Sequence, residues 1–317
     1  LDFMSLTLLA VSFAVLVKSS EVCVRNLAAL ARYLCLSEFA ICFIVVGIAS
    51  VLPELSVATV AAAEGSPDMA VAVLFGSNIA DFTLILGLVA VYARGLKVES
   101  KVRHGSKTLL ALMALPIVLM LIGNGLSKLD GLILIAAYFY YLRKIIGRHD
   151  GLQNALCNIS NNKRDFAKHA TIGAVALAVL FTSAGVASDS AIKIATEIGL
   201  PSVLMGLLIA LGTCAPEFTL AVQAVRKGHS EMGAGDIVGN VATDATLSLG
   251  IVVLMSPVAP AFEAVALSGF TMVAAGALAV HFMQSGRKIT LNEGIILVVA
   301  YIAFIALEFG MQARIIA

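Results

Sequence analysis

Glu217 stands beside Pro216 inside an apolar stretch, roughly residues 202–225, that contains no Lys, Arg or His. A lone carboxylate at mid-bilayer costs on the order of 3 kcal/mol or more. The proline deletes one helical hydrogen bond and leaves the carbonyl four residues back, that of Gly212, without its N–H partner. The two defects complement each other. A freed carbonyl, the hydroxyl of Thr213 one turn before Glu217, and the carboxylate make an oxygen cluster suited to a hard cation.

The same stretch occurs twice. Sliding the chain against itself by 163 positions aligns Pro53 with Pro216, Glu54 with Glu217, Gly76 with Gly239, Asp81 with Asp244 and Gly87 with Gly250, without a gap. From Pro53 to Val89 there are 13 identities in 37 positions, and they include Pro, Gly, Asp and Glu rather than only apolar residues. The chain therefore reads as two homologous halves, a pattern shared by many secondary transporters.

Helical spacing places further oxygens near these acids. Ser50 and Glu54, Thr213 and Glu217, and Ser77 and Asp81 are each i, i+4, and Asp236, Asn240 and Asp244 run down one face. Glu54, Asp81, Glu217 and Asp244 each lie well inside an apolar segment, which at ~1.5 Å per residue is near the midplane. Residues 33–93, 202–225 and 230–280 contain no basic side chain, so the balancing charge is expected from solution. The expected site is Glu54, Asp81, Glu217, Asp244 and Asp236, with Ser50, Thr213, Ser77, Asn240 and the carbonyls of Ala49 and Gly212. Such an all-oxygen shell suits Ca²⁺ and Na⁺ and fits a soft metal poorly.

The elements that must hold these residues are transmembrane helices. Hydrophobic residues make up 60% of 317 and charged residues 13%, too few charges to cover a soluble domain of this size. Ten apolar segments are expected, at about 2–32, 38–63, 69–93, 107–122, 129–147, 167–197, 202–226, 232–255, 259–283 and 291–309. The expectation is an all-α polytopic membrane protein. Residues 1–147 form a first five-helix repeat, 148–166 a linker and 167–317 a second repeat. Eighteen of the 21 Lys and Arg residues fall in loops of one side or in that linker. The positive-inside rule then predicts a multi-pass cell-membrane protein with both termini outside and the linker cytoplasmic. Five helices per half, an odd number, make the second half enter upside down.

Other features read plainly. Tyr138, Tyr140 and Tyr141 are expected as interfacial anchors, and Asp189, Glu263 and Glu308 as outer-end residues touching water. The five cysteines form no CxxC pair and are expected as small packing residues. Residues 1–17 read as part of the first spanning helix rather than as a signal peptide. No nucleic-acid partner is expected, and the chain is expected to work as a monomer in the lipid bilayer.

With the residues in place, the two stretches resemble the alpha-repeats of the calcium/cation antiporter superfamily, especially its prokaryotic sodium/calcium exchanger branch. That family's motif is Gly-Thr-Ser-x-Pro-Glu. Here the second copy reads Gly212-Thr213-Cys214-Ala215-Pro216-Glu217 and the first Ala49-Ser50-Val51-Leu52-Pro53-Glu54. A second signature stands as Gly76-Ser77-Asn78-Ile79-Ala80-Asp81 and, altered, as Gly239-Asn240-Val241-Ala242-Thr243-Asp244. The resemblance implies a calcium site at Glu54 and Glu217 with Ser50 and Thr213, and flanking sodium sites. It also implies first and sixth helices that slide across the core. The chain departs from the family at Val51 and Cys214, where the motif has serine, and at Asn240, where another serine is usual. Asp81 and Asp236 are acids where asparagine is common. Hydroxyls have been lost and carboxylates gained.

The expected function is a secondary antiporter, not an enzyme, that exchanges Ca²⁺ for Na⁺ by alternating access. It needs no cofactor beyond the transported Ca²⁺ and Na⁺ or H⁺. The alternative is H⁺-coupled transport of Ca²⁺ or another divalent ion. Two remoter readings are a cation channel and an intramembrane aspartyl protease. The second rests only on Gly233-Ala234-Gly235-Asp236, which fits a Gly-x-Gly-Asp signature.

Overall fold

The structure, a computed structural model, describes residues 3–33, 51–98, 100–146, 163–226, 230–258, 262–286 and 288–316. Each of the ten expected apolar segments is helical within these residues. The first three are α1 (Phe3–Tyr33), α2 (Leu52–Ala63) and α3 (Pro67–Tyr92), and the first half closes with α4 (Ser100–Gly123) and α5 (Lys128–Ile146). In the second half, α6 (Lys163–Ile198) precedes α7 (Ser202–Thr213) and α8 (Ala215–Arg226), which together fill one segment. Then come α9 (Ser230–Thr243, continuing to Met255), α10 (Phe262–Ser285) and α11 (Leu291–Ile316). Among the described residues, seven helical stretches are individually long and apolar enough to span a bilayer. The shorter pieces, 52–63 and 203–213, are cut by the Pro-Glu stretches or adjoin residues outside the description.

The core is built around α3 and α9. An 18-residue window within Pro67–Tyr92 is 94% buried, as expected for a helix apolar on nearly every face. It begins at Pro67, preceded by Gly65 at φ +83°, so the chain turns sharply and re-enters as helix at once. Outside the core, α1 packs along α6. The His169 ring Nδ1 donates to Asn26 Oδ1 at 2.8 Å and ties those two helices together. Phe13 of α1 covers Gly212, and α6 packs on α2, where Ser188 donates to Glu64 at 2.8 Å. Burial and, to a smaller extent, the charge of Asp189 hold the carboxyl of Glu64, just past α2, above its ordinary pKa, against the lowering effect of the Ser188 hydrogen bond.

The halves are related by the 163-residue offset in three dimensions as well. Gly87 of α3 meets Gly294 of α11, and Gly250 of α9 meets Gly131 of α5. A Cβ on Gly87 would lie 2.7 Å from the Gly294 carbonyl, and one on Gly250 would lie 2.9 Å from the Gly131 carbonyl. Small residues let these helix backbones approach closely where no water drives the association. The two fifth helices begin with matching capping boxes. Ser127 N donates to Asp130 at 2.8 Å, and Thr290 N donates to Glu293 at 2.7 Å.

A third correspondence decides the orientation of the repeats. Strand β1 (Leu96–Lys97) pairs antiparallel with β2 (Lys288–Ile289), and Leu126 bridges Val258. The offset carries the first pairing onto the second to within one residue. The two lie at opposite ends of α4 and of α10. A contact at one end of the molecule thus maps onto its counterpart at the other, so the repeats are inverted.

Several expectations are corrected. Tyr138 and Tyr141 are buried, 2% and 5% exposed, and only Tyr140 faces outward. The reason is helical phase: positions 138 and 141 lie on the face of α5 turned to the core. Glu308 is fully buried rather than in water, because α11 continues well beyond the expected end of its segment. Asp189 is exposed. The side chain of Glu263, and residues 148–162 of the expected linker 148–166, lie outside the described residues, while 163–166 already belong to α6.

Candidate functional site

Each Pro-Glu stretch starts a helix. Pro53 opens α2 and puts Glu54 in its first turn. In the second copy α7 ends at Thr213, Cys214 has φ −76° and ψ 1°, and α8 restarts with Glu217 in its first turn. The expectation of one continuous helix across 202–226 is therefore corrected by a break at Cys214. Both glutamates sit where unpaired N–H groups and the positive end of the helix dipole favour negative charge. Pro216 has no N–H to offer the Gly212 carbonyl.

Each aspartate starts a wider turn. The backbone is π-helical over Asp81–Ile85 and again over Asp244–Ser248. Thr83 donates its hydroxyl to the Ile79 carbonyl, and Thr246 donates to the Ala242 carbonyl at 2.5 Å. Both relations obey the same offset. The threonine hydroxyls give the loosened turns an extra bond to the carbonyl one turn back, and π-bulges of this sort are frequent at functional sites.

The four acids come from the centre of the core and are at most 2% exposed, as are Ser77, Asn240 and Thr213. Ser77 donates to Asp244 Oδ2 at 3.1 Å, a bond between repeats. Both oxygens of Glu54 and of Glu217, Asp81 Oδ1 and Asp244 Oδ1 are buried and accept no hydrogen bond among the described residues. Thr213 and Cys214 nevertheless lie alongside Glu54. Glu54 is within electrostatic reach of Asp244, Asp81 and Glu217, and Asp236 acts on Asp81 and Glu217. The groups acting most strongly on these acids are one another and neutral donors, with no cation among them. No three Asp, Glu, His or Cys side chains among the described residues crowd into a single metal shell. The acids thus lie within electrostatic reach of one another without packing into one compact metal shell among the described residues.

Of the expected site residues, Glu54, Asp81, Glu217, Asp244, Ser77, Thr213 and Asn240 are brought to the core. Asp236 is half-buried at the edge, and Gly212 lies at the break beneath Phe13. Ala49 and Ser50 lie outside the described residues. The Cys214 thiol reaches toward the Ser77 carbonyl at 3.9 Å and stands within reach of all four carboxylates. Sequence reasoning read Tyr138 only as an interfacial anchor and passed over Tyr301. They are related by the same offset, are buried, and come from the middles of α5 and α11. Tyr138 faces Thr243 with its hydroxyl unbonded among the described residues, and Tyr301 stands beside Cys214. Extending the 163-residue comparison past Val89 would have found the pair.

Inverted helical repeats meeting at buried, unneutralised carboxylates define a secondary transporter for cations. The chain matches the family described as sodium/calcium exchanger protein over residues 4–146 and 168–310, and it belongs to that family. It is therefore a polytopic membrane protein of a family of sodium/calcium exchangers rather than an enzyme. Among its relatives, the putative antiporter CaxA of Alkalimonas amylolytica is 28% identical over 312 residues, covering 95% of this chain and 97% of that protein. The sodium/calcium exchanger MaX1 of Methanosarcina acetivorans is 23% identical over 342 residues, with coverage of 95% and 97%. The fold resembles solved structures of the sodium-calcium exchanger NCX_Mj, with TM-score 0.65, 23% identity, and 96% and 99% of the two chains covered. It also resembles the H⁺/Ca²⁺ exchanger CAX, with TM-score 0.79, 17% identity, and coverage of 98% and 85%.

Proposed function

We propose that this protein exchanges Ca²⁺ for Na⁺ across the cell membrane by alternating access. The transported ions bind at the midplane between the two repeats. Glu54, Glu217, Asp81 and Asp244 supply the charge, and Thr213, Ser77, Asn240, Ser50 and the carbonyls of Ala49 and Gly212 supply neutral oxygens, with Asp236 at the rim. The observation that carries this reading is the set of buried carboxylate oxygens that accept no hydrogen bond among the described residues, with no described cation acting on them. Unpaired buried charge is too costly to persist, so a mobile cation must complete the site. Loaded with Ca²⁺ or Na⁺, the centre is neutral enough to pass through a dry, occluded state, whereas the empty centre is not. That asymmetry makes exchange obligatory.

The α1–α6 pair moves against the core in this scheme, and Phe13 over Gly212 brings α1 to the helix break. The repeats run over 1–147 and 167–317, with the linker 148–166 cytoplasmic and both termini outside, and the chain works as a monomer. Homology to a protein named as a sodium/calcium exchanger supports Na⁺ as the coupling ion.

One observation favours a second reading, coupling to H⁺. Val51 and Cys214 offer no hydroxyl, while Asp81 and Asp236 add titratable groups, so fewer neutral oxygens remain for several Na⁺ ions. Reconstituted vesicles decide between them. Ca²⁺ uptake driven by an imposed Na⁺ gradient at equal pH supports the first reading. Uptake driven only by a pH gradient supports the second, and uptake that needs neither points to a channel.

A further inference from the structure

The clasp between loops occurs twice, and only one copy is charged. In β1–β2, Lys97 and Lys288 are direct cross-strand partners, both exposed. Like charges directly opposite destabilise a ribbon. The Lys288 stem lies over Gly95, 3.4 Å from where a Cβ would stand, and Arg94 turns beside it at φ +50°. Arg226 joins this end from α8, donating to the Tyr92 hydroxyl at 2.9 Å. Arg94, Lys97 and Lys288 make no ion pair or hydrogen bond to other described side chains. Glu293, five residues beyond Lys288 in the chain, is held by Thr290 and Ser285.

The matching clasp at the other end, Leu126 with Val258, sits in a turn, residues 124–127, that carries no charge. The fold therefore needs the pairing but not the cations. Next to the charged copy, Leu88 and Tyr92 are exposed on the outer face of α3, so the ribbon adjoins the lipid-facing surface at the end of a span. A tyrosine there marks headgroup depth. A phosphate diester at that depth would separate Lys97 from Lys288 and take donors from both, with Arg94 as a third.

We infer that the β1–β2 ribbon, with Arg94, Lys97 and Lys288, binds the headgroup of an anionic phospholipid in the adjoining leaflet. This goes beyond the exchange activity and is read without it. The full chain, purified from bilayers containing phosphatidylglycerol, is analysed for retained phospholipid by native mass spectrometry. Phosphatidylglycerol should be retained over phosphatidylcholine, with occupancy falling at least about fivefold in K97Q/K288Q and kept in K97R/K288R. Should K97Q/K288Q fail to fold, R94Q carries the same expectation. Millimolar glycerol phosphate, the headgroup without chains, should not displace the lipid. Unchanged retention in the glutamine variants, or equal displacement by glycerol phosphate, overturns the inference. The latter would make the ribbon a site for soluble phosphate.

Discussion

Ser77 of the first repeat donates its hydroxyl to Asp244 of the second at 3.1 Å, 167 residues away in the chain. The bond crosses the interface between the repeats, so the site belongs to neither half alone. A hydrogen bond to a charged group contributes about 1.5–3 kcal/mol. Ser77→Ala should therefore raise the Ca²⁺ concentration for half-maximal uptake about tenfold or more. An unchanged value would mean that Asp244 does not hold the ion.

Glu54 and Glu217 occupy matched first turns, each with both oxygens buried and unbonded among the described residues. Glu54→Gln and Glu217→Gln keep shape and remove charge. Each should reduce Ca²⁺ exchange in vesicles at least about a hundredfold, since a divalent ion loses a ligand charge in a low-dielectric site. Transport retained in both variants would remove these residues from the site.

Val51 and Cys214 are buried beside the two glutamates. Restoring hydroxyls with Val51→Ser and Cys214→Ser should increase the Na⁺ dependence of Ca²⁺ uptake and reduce its pH dependence, because neutral oxygens favour Na⁺ over a proton. If both dependences stay as they are, neither position faces the coupling ion.

Gly87 and Gly250 hold matched helix crossings. Gly87→Ala and Gly250→Ala should each cost about 1–3 kcal/mol by overpacking against a backbone carbonyl. Gly239→Ala should cost less, since nothing lies within 4 Å of its Cβ position. Thermal unfolding in detergent reads the ranking, and equal melting temperatures would show that the crossings are looser than described.

Tyr138 is buried with its hydroxyl unbonded among the described residues. Tyr138→Phe removes a polar group that lacks a partner, so the melting temperature should hold or rise. A loss of more than about 1 kcal/mol would reveal a bond made by that hydroxyl.

Much of this was legible in the chain. Pro53-Glu54 and Pro216-Glu217 are conspicuous because proline and a carboxylate are both costly inside an apolar run. Their 163-residue offset is conspicuous because glycine, proline and acid matches are improbable by composition. What stayed hidden was side-chain phase and local backbone type. Tyr138 sits close to basic residues and so looked like an anchor, yet one helical turn decides which way a ring faces. The π-helical turns at Asp81 and Asp244 leave no mark on apolar periodicity, because five residues shift the phase too little to read.

Apolar run lengths, the gapless internal match and the lack of basic residues around four acids were properties of the sequence by itself. They determined a membrane-spanning helical pair of repeats and named its acids, since continuous apolar runs of this length satisfy their backbone in lipid as helices and a charge there is costly unless it is used. Only the tertiary structure decided that Ser77 serves Asp244, that acids from both repeats come within electrostatic reach of one another, and that the loop clasps interlock the halves from opposite ends. Those outcomes depend on how two helices from distant parts of the chain are rotated against each other, and hydrophobic burial along either one is indifferent to that angle.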